Sequence, residues 1–168
     1  MRYGRAVYFL VILICVVEMA RLWNVSPVQM AAHFDIQGNP DRFVPKLEFF
    51  GFQAQTLLIL LAVSILPQVL FLILPATLIN MPNRDYWLAP DRRTAIQDRL
   101  SSFGAMLFGC ILLMVQVGFE LAVYANLQTP IYFNANIMSA VMAGGFILIG
   151  FMLIQLLLSF RLPASKVE

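Results

Sequence analysis

Four long apolar stretches decide what this chain can fold into. They cover about residues 6–23, 51–74, 103–124 and 137–160, and each has the ~20 residues that a helix needs to cross a hydrocarbon core. All four are apolar on every side and lack period-2 alternation, which predicts helices and not barrel strands. Little polar residue is left to coat a soluble surface: 61% of the 168 residues are hydrophobic and 12% charged. A soluble domain carries about a quarter charged residues. The composition excludes a water-soluble enzyme, a disordered chain and a coiled coil. A net charge of +2 leaves no nucleic-acid footprint. The fold class is therefore all-α: an integral membrane four-helix bundle forming a single domain over residues 1–168.

The first span is the weakest, because Glu18 ends its unbroken apolar run. Arg2 and Arg5 ahead of that run have the form of a signal peptide. However, residues 16–23 offer no small-x-small cleavage site, and Ile14 before Cys15 makes a poor lipoprotein site, so the segment reads as a retained helix. Basic residues in short loops set the orientation. With the N-terminus inside, Arg2, Arg5, Arg84, Arg92, Arg93, Arg99, Arg161 and Lys166 lie inside, eight of the 11 Lys and Arg. Arg21, Arg42 and Lys46 lie outside. Both termini then face the cytoplasm, residues 26–50 form a structured outer loop between helices 1 and 2, and residues 75–102 form a cytoplasmic loop. Cys15 and Cys110 sit within spans, which predicts packing residues and no disulfide.

Small residues mark where helices approach in lipid. Ala105 and Gly109 on the third span, and Ala140, Gly144, Gly145 and Gly150 on the fourth, predict that these two pack together or that a second copy docks there. Pro67 predicts a kink in the second span. The carboxylate of Glu120 is costly within a membrane unless it is paired or wet. Arg21 and Glu18 lie at matching depth on the first span and Gln116 one turn away from Glu120. The expectation is a buried polar cluster in which Arg21 reaches Glu120, Glu18 or both, either as a clamp or as the floor of a pocket.

In the outer loop, Gly38-Asn39-Pro40-Asp41 is a strong turn signal. His33, Asp35, Asp41 and Lys46 crowd around it as a candidate ligand-binding set or an internally bonded cap. In the cap reading His33 bonds a loop carboxylate and Lys46 pairs with Asp41 or Asp35. His33 is the single histidine, and zinc takes three or four ligands, so no metal site is expected. In the cytoplasmic loop, Pro82 ends the second helix and Pro90-Asp91 begins the third. Tyr86, Trp87, Arg92 and Arg93 read as an interface facing lipid headgroups or docking a cytoplasmic regulator.

The spacing of Pro27, His33-Phe34-Asp35, Gly38-Asn39-Pro40-Asp41, Phe43 and Lys46 resembles the bacterial membrane family catalogued as domain of unknown function 1648. Met30-Ala31-Ala32 departs from the family's usual Pro or Ile-Pro before the His. The run from Pro82 to Pro90 extends the resemblance to about the first hundred residues. A family relative is the immunity protein of the sporulation-delay toxin system. The resemblance thus implies a ligand- or toxin-sensing role at the outer face of a bacterial inner membrane.

Catalysis is hard to assemble. The chain has no Gly-x-Ser-x-Gly, His-Glu-x-x-His or P-loop motif and no second histidine. No enzymatic activity, catalytic residue or cofactor is expected. The expected partners are the lipid bilayer and other membrane subunits or a second copy. The alternatives to a sensor are an accessory subunit of a larger membrane complex and a small transporter using Pro67, Gln68, Gln116, Glu120 and Gln155.

Overall fold

The computed structural model describes residues 3–162. Arg2 and Lys166, counted above for orientation, lie outside the described residues. Among the described residues, four helices are long and apolar enough to cross a membrane. They are α1 (Gly4–Val25), α2 (Lys46–Ile73), α4 (Arg93–Asn126) and α5 (Ala135–Leu158). A short helix, α3 (Arg84–Trp87), lies between the second and third of these.

The segment read as an outer loop is a β-hairpin. Strand β1 (Gln29–Phe34) pairs antiparallel with β2 (Pro40–Pro45). Its burial does not alternate along β1, and the register shifts on both sides of His33, so the period-2 signature of a strand is missing from the sequence. Pro40 and Pro45 close the two ends of β2, places where a missing N–H is tolerated. The turn between the strands is built on Gly38, whose φ of +89° a side chain would resist.

Helix boundaries move accordingly. α2 begins at Lys46, directly after β2, and continues through Pro67 to Ile73. Pro75, not Pro82, stops it: the residue before a proline is driven out of the helical region, and Leu74 is extended, with ψ 135°. α4 begins at Arg93, so ten residues assigned to the loop belong to the helix. Pro90-Asp91 precedes that start in a turn, and Asp91 pairs with Arg92 at 2.8 Å instead of capping the helix.

α4 is the central post, and α1, α2 and α5 each pack against it. Ala105 and Gly109 of α4 serve α1, while Gly118 further along meets Met138 of α5. Ala105 joins Tyr8, Val11, Cys15, Leu57 and Leu112 in one core cluster, Gly109 lies against Tyr8, and the Ser102 carbonyl stands where a Cβ on Gly4 would go. On α5, Gly145 receives Met114 of α4, while Gly144 and Gly150 meet open space. Close approach at small residues is how helices associate without a hydrophobic driving force between them.

The hairpin lies across one end of the helices. Met30 and Val44 pack with Leu22, Phe49, Phe50, Phe119 and Val123 in a second cluster. Phe49, Phe50 and Phe119 form a ring triad with centroids 5.1–5.9 Å apart. At the tip, Phe34 stacks on Phe133 at 5.0 Å, and the Phe133 amide donates to the Gly38 carbonyl at 2.9 Å. The tip is thus fastened to the connection between α4 and α5.

Candidate functional site

Beneath the hairpin is a pocket of about 300 Å3. Phe49, Phe52 and Phe119 wall it, and His33, Arg42, Gln53 and Thr56 give it polar groups. Gln53, on the second turn of α2, is 7% exposed and Gln116, on α4, 2%. The Gln53 amide donates to Gln116 Oε1 at 3.3 Å, and Gln116 Nε2 donates to Glu120 Oε1 at 3.0 Å. A polar relay therefore runs from the pocket floor to the intramembrane carboxylate. The pocket itself has the concave, apolar, sparsely polar character of small-ligand sites.

The expected cluster of Glu18, Arg21, Gln116 and Glu120 divides in two. Arg21 pairs with Glu18 at 2.6 Å and donates to Tyr124 Oη at 3.0 Å. Glu120 is held by Gln116, without an Arg21 contact among the described residues. Arg21 and Glu18 are three residues apart on α1, so they meet along their own helix. Gln53 was missed by sequence reasoning. Its signal is an amide on the second turn of a mostly apolar helix, which Gln55, two residues on, shares.

The hairpin residues do not form one network. His33 Nδ1 lies 2.6 Å from Asp41 Oδ1, across the two strands. Asp35 instead folds its own turn, accepting from the Gln37 and Asn39 amides at 2.9 and 2.8 Å and from Asn39 Nδ2 at 3.1 Å. The Asn39 side chain first, with the Asn39, Gln37 and Gly38 amides, holds its carboxyl below the ordinary value of 3.8. Lys46 pairs with neither carboxylate. Its ammonium donates to the carbonyls of Trp23 and Ser26 at 3.0 and 3.1 Å and stands 4.6 Å from the Trp23 ring centroid. As the first residue of α2 it reaches the C-terminal end of α1, where a cation complements the unpaired carbonyls. Among the described residues no group of three His, Cys, Asp or Glu side chains forms a metal cradle.

The loop between α2 and α4 follows the same rule. Trp87 Nε1 and Asn83 Nδ2 donate to the Phe160 carbonyl at 2.9 and 2.8 Å, and Arg99 donates to the Ser159 carbonyl at 2.8 Å. These cap the C-terminal end of α5. Arg93 reaches the Leu74 carbonyl, just past α2, at 3.4 Å. Arg92 lies over the Tyr86 ring at 4.3 Å and donates to the Tyr86 carbonyl at 2.8 Å. Of the side chains expected to face headgroups or a regulator, Trp87, Arg92 and Arg93 make internal bonds to backbone carbonyls, and the Tyr86 ring lies against Arg92 and Trp87. Of the transporter candidates, Gln155 is exposed on α5, and the Gln68 side chain lies outside the described residues.

Fold and site define a polytopic membrane protein with a helix–hairpin–helix module seated on a central helix. Residues 9–57 match the model of the family described as Domain of unknown function (DUF1648). The match runs from Phe9 within α1 through the hairpin to Leu57 in α2; it takes in the Pro27–Lys46 pattern and stops short of the Pro82–Pro90 run. No curated protein and no solved structure matches the chain.

Proposed function

We propose that the protein is a non-enzymatic binding protein of the bacterial inner membrane that takes an amphipathic ligand with an anionic group under the hairpin. The pocket carries this reading. Its aromatic wall suits an apolar body, the exposed Arg42 at its rim suits a carboxylate, and the Gln53–Gln116–Glu120 relay lies below. The basic residues counted by sequence support a hairpin outside and both termini inside. Taking the ligand as a peptide toxin, in an immunity or signalling role, rests on the family resemblance.

The test is thermal unfolding of the intact chain in mild detergent, with apolar peptides bearing either a free or an amidated C-terminus. The free carboxylate should raise the unfolding temperature, and Arg42→Ala should remove the rise while leaving the unliganded chain unchanged, because Arg42 has only a long, exposed pairing with Glu48 at 3.9 Å. No rise with either peptide, or a rise that survives Arg42→Ala, overturns the reading. A second reading, an accessory subunit, is favoured by α5, which has no buried residue and leaves Gly144 and Gly150 open. A stoichiometric membrane partner co-purifying on α5 supports it. Orientation is tested with a membrane-impermeant maleimide in cells whose outer membrane alone is permeabilised: Gln37→Cys should react and Asp85→Cys should not.

A further inference from the structure

α1 and α2 are joined at two levels and stand apart between them. Near the hairpin, Lys46 of α2 bonds the carbonyls that end α1, and Trp23 packs edge-on against Phe50 at 5.1 Å. Deeper, buried Tyr8 Oη donates to Ser64 Oγ at 2.9 Å. Between these ties lies a slot of about 580 Å3. Met19 and Ala20 form one wall, Gly51, Ala54 and Leu58 the other, and Leu112 of α4 lies at the back. Its lining is almost wholly apolar.

Three features select the occupant. The slot runs from Ile12 to Trp23, about 16 Å along α1 at 1.5 Å per residue. That is about half of a ~30 Å hydrocarbon core, the depth of one leaflet. The slot is open along one side and almost wholly apolar, which suits a hydrocarbon chain lying along it. At the mouth, the Lys46 ammonium has three donors and two carbonyl partners, which leaves one proton beside Trp23 at interfacial depth.

We propose that the slot binds one acyl chain of an anionic phospholipid from the hairpin-side leaflet, with the headgroup phosphate on Lys46. The site is separate from the pocket under the hairpin and does not depend on its function. A chain-shaped ligand suits an apolar gap of this length, and the Lys46 charge selects the headgroup.

The test uses Trp23 as the reporter. The chain has two tryptophans, so a Trp87→Phe background isolates it. The intact chain is reconstituted in vesicles containing phosphatidylglycerol or phosphatidylcholine with brominated acyl chains, at equal mole fractions. Brominated phosphatidylglycerol should quench Trp23 with an apparent preference of about fivefold, the effect of one basic residue near an anionic surface. Lys46→Gln should abolish the preference and keep the quenching by both lipids. Gly51→Phe should suppress quenching by both. A Cβ at Gly51 meets open space and Gly51 lines the slot, so this variant fills the slot from its wall and carries the test if Lys46→Gln unfolds. Equal quenching by the two lipids in the parent chain, or quenching unaltered by Gly51→Phe, overturns the proposal. So does a loss of quenching that tracks dimer formation as protein density rises, which would assign the slot's face to a second copy.

Discussion

The side-chain amide of Asn126 pairs with the main chain of Ala31 in both directions. Its Oδ1 accepts from the Ala31 N–H at 2.6 Å, and its Nδ2 donates to the Ala31 carbonyl at 3.0 Å. Ala31 is fully buried, and the register of the hairpin shifts immediately after it. The last residue of α4 thus stands in for a third strand at the point where the ladder is irregular. An isolated two-stranded hairpin is marginal in water, so this pairing and the packing of Met30 and Val44 hold it in place.

Asn126→Ala should therefore destabilise the protein by about 2 kcal/mol or more, since it leaves a buried donor and acceptor without partners. Asn126→Asp should also be destabilising, because it keeps the acceptor and loses the donor to Ala31. Thermal unfolding followed by circular dichroism measures both. A change below ~0.5 kcal/mol for Asn126→Ala would show that water or a shifted backbone replaces the amide.

Gly38→Ala should release the hairpin tip. It places a side chain at φ +89°, against the Phe133 carbonyl. A cost of at least ~1 kcal/mol is expected from the backbone conformation alone. Hydrogen exchange at the Phe133 amide should quicken, while exchange in the middle of α4 stays slow. Unaltered protection at Phe133 would contradict the fastening of the tip.

The Asp35 turn has a defined acid limit. The folded carboxyl titrates below its ordinary value of 3.8 because the Asn39 side chain and nearby amides bond the charged form. A depressed folded pKa contributes stability above the unfolded pKa and loses it as pH falls through the folded one. The turn should hold at neutral pH and loosen only as pH drops below about 3.8. Asp35→Asn should abolish that acid dependence, with the chemical shift of the Asn39 amide as readout. Persistence of the step in Asp35→Asn would assign it to another carboxylate.

The relay should behave as a unit. Gln116→Leu alone leaves the Gln53 amide and the Glu120 carboxylate without their partner, at a cost of about 1–3 kcal/mol. Gln53→Leu with Gln116→Leu should cost less than the sum of the two singles, because the second change removes a group already orphaned. Strict additivity would show that Gln53 and Gln116 do not cooperate.

The helices were legible because each carries its own signal. Twenty apolar residues in a row need no knowledge of neighbours. The turn at Gly38 was legible for the same reason. What the sequence hid depends on partners distant along the chain. The strands do not alternate, because one end of the hairpin sits on helix ends and the register shifts on both sides of His33. Lys46 looked like a loop cation among loop carboxylates, yet its partners are carbonyls at the end of α1. Arg93 and Arg99 counted as interior-facing charges, yet they also complete the ends of α2 and α5. Ala105 and Gly109 showed that a helix comes close without showing which one.

The boundaries of the family match and of the folding unit differ in a way that matters for any attempt to isolate the matched region. Residues 9–57 leave out both Tyr8 and Ser64, which bond each other, and exclude all of α4. Excised, that region would keep the hairpin and the hairpin-proximal parts of α1 and α2 but lose Leu58, Asn126, Phe119, Leu112 and Tyr124. Its recognisable pattern therefore describes a visitor that requires a host, and a different central helix could serve only if it offered an amide at the level of Ala31 and an aromatic ring at the level of Phe49 and Phe50.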